Sequence, residues 1–291
     1  MNITYSKRKF KISDIILNSI VYISSIITCL ILISIVFYIL SKGIRRVNWD
    51  FLSSTYSSRV NGPKGILPMI INTFYIVLIT IAISFPLGLG TAIYTTQYAK
   101  SKRFKRIVSF SSDVLSGIPS IIFGFFGFQI FCVKCGLGTS IIAGCLTMAI
   151  CVLPTIIRTS EEALRKVPKE FKEAAYALGA KNLRVLFTVV IQTALPEIFT
   201  SMSLYIGKIL GESAIFIYTV GMSYALPRGF ISHIFESGST LTIHLYQIAK
   251  QANTEDSLEI TFAVSSVLLI LVLLINLSTD LFLRFVLRVK K

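Results

Sequence analysis

Long stretches without a single acidic or basic side chain limit this chain more than any other feature. Residues Ile15–Ser41, Gly65–Ala99, Val114–Val133, Cys135–Ile157 and Ile260–Thr279 contain no Asp, Glu, Lys or Arg. About 20 mostly apolar residues in a helix cross the ~30 Å hydrocarbon layer of a bilayer, and each stretch reaches that length. Within lipid every backbone N–H and C=O must find a partner inside the chain, which favours helices as spanning elements. A sixth stretch, Ala194–Met222, is as apolar but carries Glu197, Lys208 and Glu212. The pattern predicts an all-α, polytopic membrane protein with about six transmembrane helices.

Charge composition agrees and adds direction. Only 15% of residues are charged, against roughly 25% in soluble domains, and the mean hydropathy is +0.74. The formal net charge of +15 is the kind of excess that can signal nucleic-acid binding. Its distribution points to membrane-flanking loops and lipid instead, with no nucleic acid as partner. Segments 1–14, 95–109, 158–190 and 283–291 hold 20 of the 29 Lys and Arg residues, while 41–65, 132–140 and 224–258 hold 8. The positive-inside rule then places both termini in the cytoplasm of a cell-membrane protein. Lys42, Arg45, Arg46, Arg59 and Lys64 in the first outer loop run against that trend without reversing it.

The first apolar stretch follows Lys7, Arg8, Lys9 and Lys11, as a signal peptide would. Its apolar core far exceeds the 7–15 residues of a signal core, so it reads as a retained helix. Cys132 and Cys135 form one CxxC near an outer loop. No second pair of ligands accompanies them for zinc, which leaves an outer disulfide or simple packing. His233 and His244 stand in no metal-binding pattern.

The loop RTSEEALRKVPKEFKEAAYALGAKNLRVLFT, Arg158–Thr188, is the most informative segment. Thr159 or Ser160 can cap a helix with Glu161 and Glu162 in its first turn. Pro168 ends that turn and can open a second helix. In this second helix Phe171, Ala174, Ala175 and Leu178 recur at i, i+3, i+4 and i+7, one apolar stripe. Gly179 can take the left-handed conformation that stops it. Such a helix can fit a partner's groove, lie on the bilayer or fold back on its own spans.

Glu173-Ala174-Ala175 followed by Gly179 resembles the EAA loop of ABC importer permeases. The resemblance implies that Phe171, Glu173, Ala174, Ala175, Leu178 and Gly179 form the coupling surface for a separate ATPase. One departure stands out. Many members have Leu-Pro about thirteen residues after the glycine, where this chain has Ile191-Gln192 and reaches Leu195-Pro196 four residues later. That leaves the turn into the fifth span open. No GxxxxGK[ST] phosphate-cradling loop occurs in the sequence, so ATP would be used by the partner, with no cofactor in this chain and no enzymatic activity of its own.

Lys208 and Glu212 fall at i and i+4 of the predicted fifth span, where they can stack as an ion pair. Charges at that depth are costly and usually face a cavity or a partner. They read either as a structural tie or as a cationic point on an anion path. The surrounding GKILGESAIFIYTVG resembles the (R/K)xxGE(T/S)A segment of phosphate importer permeases of the PstA type, with Lys208 where most relatives have Arg. Gly117–Gly124 (GIPSIIFG) resembles the third-span signature of that family. Asn48–Leu52 with Gly65–Pro68, and Ser239–Tyr246, resemble its outer loops.

The resemblance runs from about Asn48 to the C-terminus and implies a MetI-like type I ABC importer permease fold. Residues 1–64 would form the first helix and outer loop, and 65–291 the permease core with the coupling loop at 158–188. It further implies a heterodimer with a second permease subunit, an ATP-binding cassette ATPase dimer and an extracytoplasmic phosphate-binding protein. Pro119, Gly117, Gly124 and Gly127 would let the third helix bend or pack closely. The alternatives are the partner permease or a permease for another oxyanion such as molybdate or sulfate, and, more distantly, a stand-alone secondary transporter or channel.

Overall fold

The computed structural model describes residues 12–57, 64–227, 229, 231–251 and 254–288. The basic clusters Lys7–Lys11 and Lys290–Lys291, and Arg59, lie outside these residues. Helix α1 (Ile12–Gly43) continues into a 3-10 turn, Ile44–Arg46. The short α2 (Trp49–Ser53) is capped by Asn48, whose Oδ1 accepts the Phe51 N–H at 2.8 Å. Helix α3 (Leu67–Ile93) starts with Pro68 in its first turn, where a missing N–H costs nothing, and widens into a π turn, Tyr94–Tyr98.

Helix α4 (Lys102–Ser116) and helix α5 (Ser120–Gly127) follow, the latter extended by a π turn over Phe128–Lys134. Helix α6 is Ile141–Arg165, α7 is Lys169–Ala177 and α8 is Asn182–Val185. A π turn at Leu186–Val190 joins α8 to α9 (Ile191–Gly211), which is followed by α10 (Ala214–Thr219). A 3-10 turn at Ser232–Phe235, α11 (Leu241–Lys250) and α12 (Glu255–Arg288) complete the fold.

Five segments are long and apolar enough to cross a membrane, and six if the bent α4–α5 pair counts as one. The expected membrane class and number of spans are therefore observed, but three boundaries differ. The third span is not straight: the α4 half and the α5 half meet at 99°. Pro119 lacks an N–H and disfavours helical geometry at Ile118 before it, so the uncharged run Val114–Val133 contains a corner. Helix α6 runs through Thr159 and Ser160 to Arg165, so neither residue caps a helix. The Thr159 hydroxyl instead bonds back to the Thr155 carbonyl at 3.0 Å. The fifth span is Asn182–Gly211 rather than Ala194–Met222, because the helix stops where Glu212 turns extended at ψ 128°.

Three apolar clusters hold the helices together. The largest joins α3, α6, α9 and α10 through Ile76, Met148, Ile156, Tyr205, Ile209 and Phe216. A second, through Phe51, Ile66, Met69, Leu241 and Val264, closes the α11 end. A third, through Ala92, Leu164, Val185 and Ile198, closes the α7 end. Glycines permit the close approaches. A Cβ on Gly88 would lie 2.5 Å from Ile156 Cγ2, and one on Gly127 would lie 2.1 Å from Thr147 Oγ1.

Helix α1 stands apart, its side chains exposed along most of its length. It meets α12 at one end, where Gly43 sits against the Phe262 carbonyl and the Ser266 hydroxyl donates to the Ile39 carbonyl at 3.2 Å. Arg46 extends this joint to Asp256 at 2.5 Å and Glu259 at 2.6 Å.

The tightest glycine contact with backbone in the bundle core sets a test. A Cβ on Gly124 would lie 2.9 Å from the Ala214 carbonyl oxygen of α10. Gly124→Val therefore forces α5 and α10 apart, and thermal unfolding of the purified protein in detergent should show a loss of about 1–3 kcal/mol. Gly90→Ala, whose added Cβ meets nothing within 4 Å, should leave the melting temperature unchanged or higher.

Candidate coupling surface and charged hinge

Helix α7 begins at Pro168 and has no buried residue. Phe171 is 52% exposed and Leu178 88%. Of the predicted stripe, only Ala175 packs inward, against the cluster at this end of the bundle. Phe171, Ala174 and Leu178 point away from the chain's own helices, and Glu173 is exposed as well. The fold-back alternative thus fails for most of the stripe.

The opposite side of α7 is anchored. Lys172 Nζ donates to Gln97 Oε1, in the π turn after α3, at 3.1 Å. Partial burial, and then the neighbouring Lys169, push the Lys172 pKa down.

The end of α7 forms as its glycine predicts. Gly179 has φ +81°, the left-handed region that costs other L-residues about 1–2 kcal/mol. Its N–H reaches the Tyr176 carbonyl at 2.9 Å, and the Ala180 N–H reaches the Ala175 carbonyl at 3.1 Å. These are the two bonds of a Schellman motif. Two ion pairs stand nearby: Arg165 to Glu161 at 3.0 Å within the last turns of α6, and Lys166, just past the end of α6, to Glu197 on α9. Thr95 after α3 also donates to Glu161. Phe171, Ala174 and Leu178 thus form an exposed apolar face that the chain's own helices leave uncovered.

Lys208 and Glu212 do not stack as expected. Lys208 lies in the last turn of α9 and is exposed. Glu212 has left the helix, and its Oε1 accepts the Ile215 N–H at 3.3 Å, capping α10. Its backbone carbonyl accepts from Thr242 Oγ1 of α11 at 2.8 Å. Among the described residues no ion pair joins the two. An i, i+4 pair stacks only within one continuous helix, and here the helix ends at Gly211. Lys208 and Glu212 both lie near Cys151 of α6. Leu204, one turn before Lys208, is 67% exposed, so this face of α9 is left open by the chain's own helices.

Residues 84–289 match the family model described as the binding-protein-dependent transport system inner membrane component. The chain belongs to this family. It is 33% identical over 279 residues to the probable ABC transporter permease protein YqgI of Bacillus subtilis, covering 92% of this chain and 94% of that one. It is 32% identical over 263 residues to the phosphate transport system permease protein PstA of Haemophilus influenzae, covering 90% of each.

Two solved structures resemble its fold. An inward-facing MetNI methionine ABC transporter superposes with a TM-score of 0.60 at 23% identity, over 77% of this chain and 94% of that one. A bacterial alginate ABC transporter, in complex with its alginate-bound periplasmic protein, gives 0.68 at 13% identity, over 94% and 96%. The all-α MetI-type permease fold expected from the sequence is the fold observed. Permeases of this kind are membrane-embedded transport subunits that work with an ATPase and a periplasmic binding protein.

At its α11 end the permease buries two histidines whose partners no local pattern announces. His233 is 1% exposed. Its Nε2 lies 2.6 Å from Asn72 Oδ1 on α3, and its Nδ1 lies 3.1 Å from Glu236 Oε2. Asn72 donates its amide to the Ser239 carbonyl at 3.2 Å, so its Oδ1 is left to accept from the His233 ring. The cluster joins α3 to the loop before α11. His244 lies between the edges of Tyr56 and Tyr224, at 4.5 and 5.5 Å between ring centroids. Neither of its nitrogens has a partner among the described residues. Cys132 and Cys135 are free thiols, the first buried and the second exposed.

Burial pushes the His244 pKa down to about 3, against about 6.5 in an unfolded chain. Between those values the unfolded chain binds a proton that the folded one refuses. Its contribution is therefore intact above pH 6.5 and is lost as pH falls toward 3. His244→Leu removes two orphaned nitrogens and should match or exceed the native melting temperature at pH 7.5. Its advantage should widen as the pH drops below 6.5; parallel acid limbs would contradict the assignment.

Proposed function

We propose that this permease is one half of a heterodimeric path for phosphate, driven by a separate ATPase that docks on α7. The observation that carries the reading is the outward display of Phe171, Ala174 and Leu178 on a helix whose other side is fixed to the bundle. A short helix with that asymmetry can take up a displacement from a partner and pass it on. Lys172 conveys it to the end of α3, the Arg165–Pro168 turn to α6, and α8 to α9. Closure of an ATP-bound ATPase pair would then rock these spans between inward- and outward-facing arrangements.

Similarity to PstA, together with the GKILGESA segment, supports phosphate as cargo. Lys208 supports it chemically, since an ammonium is a compact point charge suited to an oxyanion. A lysine facing lipid at that position would be costly. The open face of α9 therefore fits a path shared with a second permease subunit, with Lys208 on its wall. Glu212 sets the α9–α10 corner by capping α10. The basic segments 95–109 and 158–190 support a cytoplasmic α7 end, with both termini on the same side. An extracytoplasmic phosphate-binding protein would deliver its cargo at the α11 end.

Leu178→Asp puts a charge on the docking face without touching the fold, as that side chain is 88% exposed. Gly179→Pro cannot adopt φ +81°. Leu178→Asp should insert and melt as the native permease does, Gly179→Pro should melt lower because it also loses the N–H bonded to Tyr176, and both should lose ATP-driven phosphate uptake in proteoliposomes. Normal uptake by Leu178→Asp would overturn the docking role.

Lys208→Gln should raise the KM for phosphate by about tenfold or more, the scale of one charge-assisted hydrogen bond, while Lys208→Arg stays near native. Counterflow with sulfate and molybdate in the same vesicles identifies the cargo. Preference for either over phosphate would replace phosphate as the substrate.

A further inference from the structure

Helix α4 contributes no buried residue to the fold, although it is a full 15 residues long. Phe104, Ile107, Phe110 and Val114 lie along one side and are 40%, 62%, 68% and 47% exposed. The opposite side leans on α6, where Arg158 reaches Asp113 at 3.4 Å across a cleft of about 240 Å³ also lined by Lys105 and Glu161. Just before and within the first turns stand Lys100, Lys102, Arg103, Lys105 and Arg106. None of these five forms an ion pair among the described residues.

The corner at Gly117–Pro119 fixes how this helix can lie. Since α4 and the α5 half meet at 99°, a crossing α5 leaves α4 running nearly parallel to the bilayer plane. An in-plane helix with an exposed apolar side and a basic N-terminal end settles at the boundary between headgroups and acyl chains. We infer that α4 lies in the headgroup layer of the cytoplasmic leaflet and binds anionic phospholipids, its basic residues on their phosphates and its apolar side in the acyl boundary.

Charge complementarity selects this occupant over a second permease subunit. Protein interfaces are depleted of lysine, whereas clustered Lys and Arg beside a span are the usual footprint of anionic lipid. The polar side of α4 bonds α6 at Arg158, one helix segment before the α7 docking surface. Headgroup charge is thereby brought next to the coupling machinery. This inference rests on the cytoplasmic placement of the α7 end proposed above.

The test uses the assembled transporter in vesicles of phosphatidylethanolamine and phosphatidylglycerol, with photoreactive benzoylphenylalanine in place of Phe110. Irradiation should give phospholipid adducts enriched in phosphatidylglycerol over its share of the membrane. The quadruple change Lys102→Gln, Arg103→Gln, Lys105→Gln and Arg106→Gln should abolish the enrichment while lipid adducts persist. Cross-links to another subunit, or adducts in bulk lipid proportions unaffected by the quadruple change, would overturn the inference. Placement is read separately. Lys102→Cys in a Cys135→Ser background should react with an impermeant maleimide only from the cytoplasmic face. Reaction from outside would sink the orientation, whichever adducts form.

Discussion

The contact between α3 and α6, where Gly88 admits the Ile156 side chain, positions most of what gives this permease its character. These two helices supply much of the central cluster, through Ile76, Met148 and Ile156. Their far ends carry the groups that surround α7. Because α6 continues past the apolar layer to Arg165, α7 sits on the tip of a buried rod rather than on a slack loop. Interiors are packed densely enough that a shift of such a rod moves its neighbours instead of being absorbed.

The joints around α7 differ in kind. Its Ala175 contact is apolar and close, whereas Lys172–Gln97 and Lys166–Glu197 are polar links at a half-wet surface. Surface ion pairs are individually weak, so these links guide the helix without locking it. The corner at Gly211–Ser213 is held differently again, by hydrogen bonds from Ile215 and Thr242 to Glu212.

Which parts of this could be read from residues alone follows from what each signal measures. Uncharged runs report how long a segment can stay in lipid, and they located the spans and the membrane class. They are blind to the direction of a helix axis: they gave no angle for the bend that Pro119 permits, and they carried the fifth span past its end at Gly211. Helix α7 was legible because its cues are local: Pro168 at its start, Gly179 at its end and an apolar stripe between. Lys208 and Glu212 misled because spacing implies stacking only inside one continuous helix. The His233–Asn72 contact joins residues 161 apart in sequence, and a single sequence holds no trace of such a pair.

The joint between the first and last helices has a consequence for how the chain is made. Arg46 finds its carboxylates 213 residues later in Glu259, and nearby in Asp256. A chain synthesised from its N-terminus must therefore make all the helices between α1 and α12 before these two can meet. Their joint is sealed late, whatever the order in which the intervening helices settle.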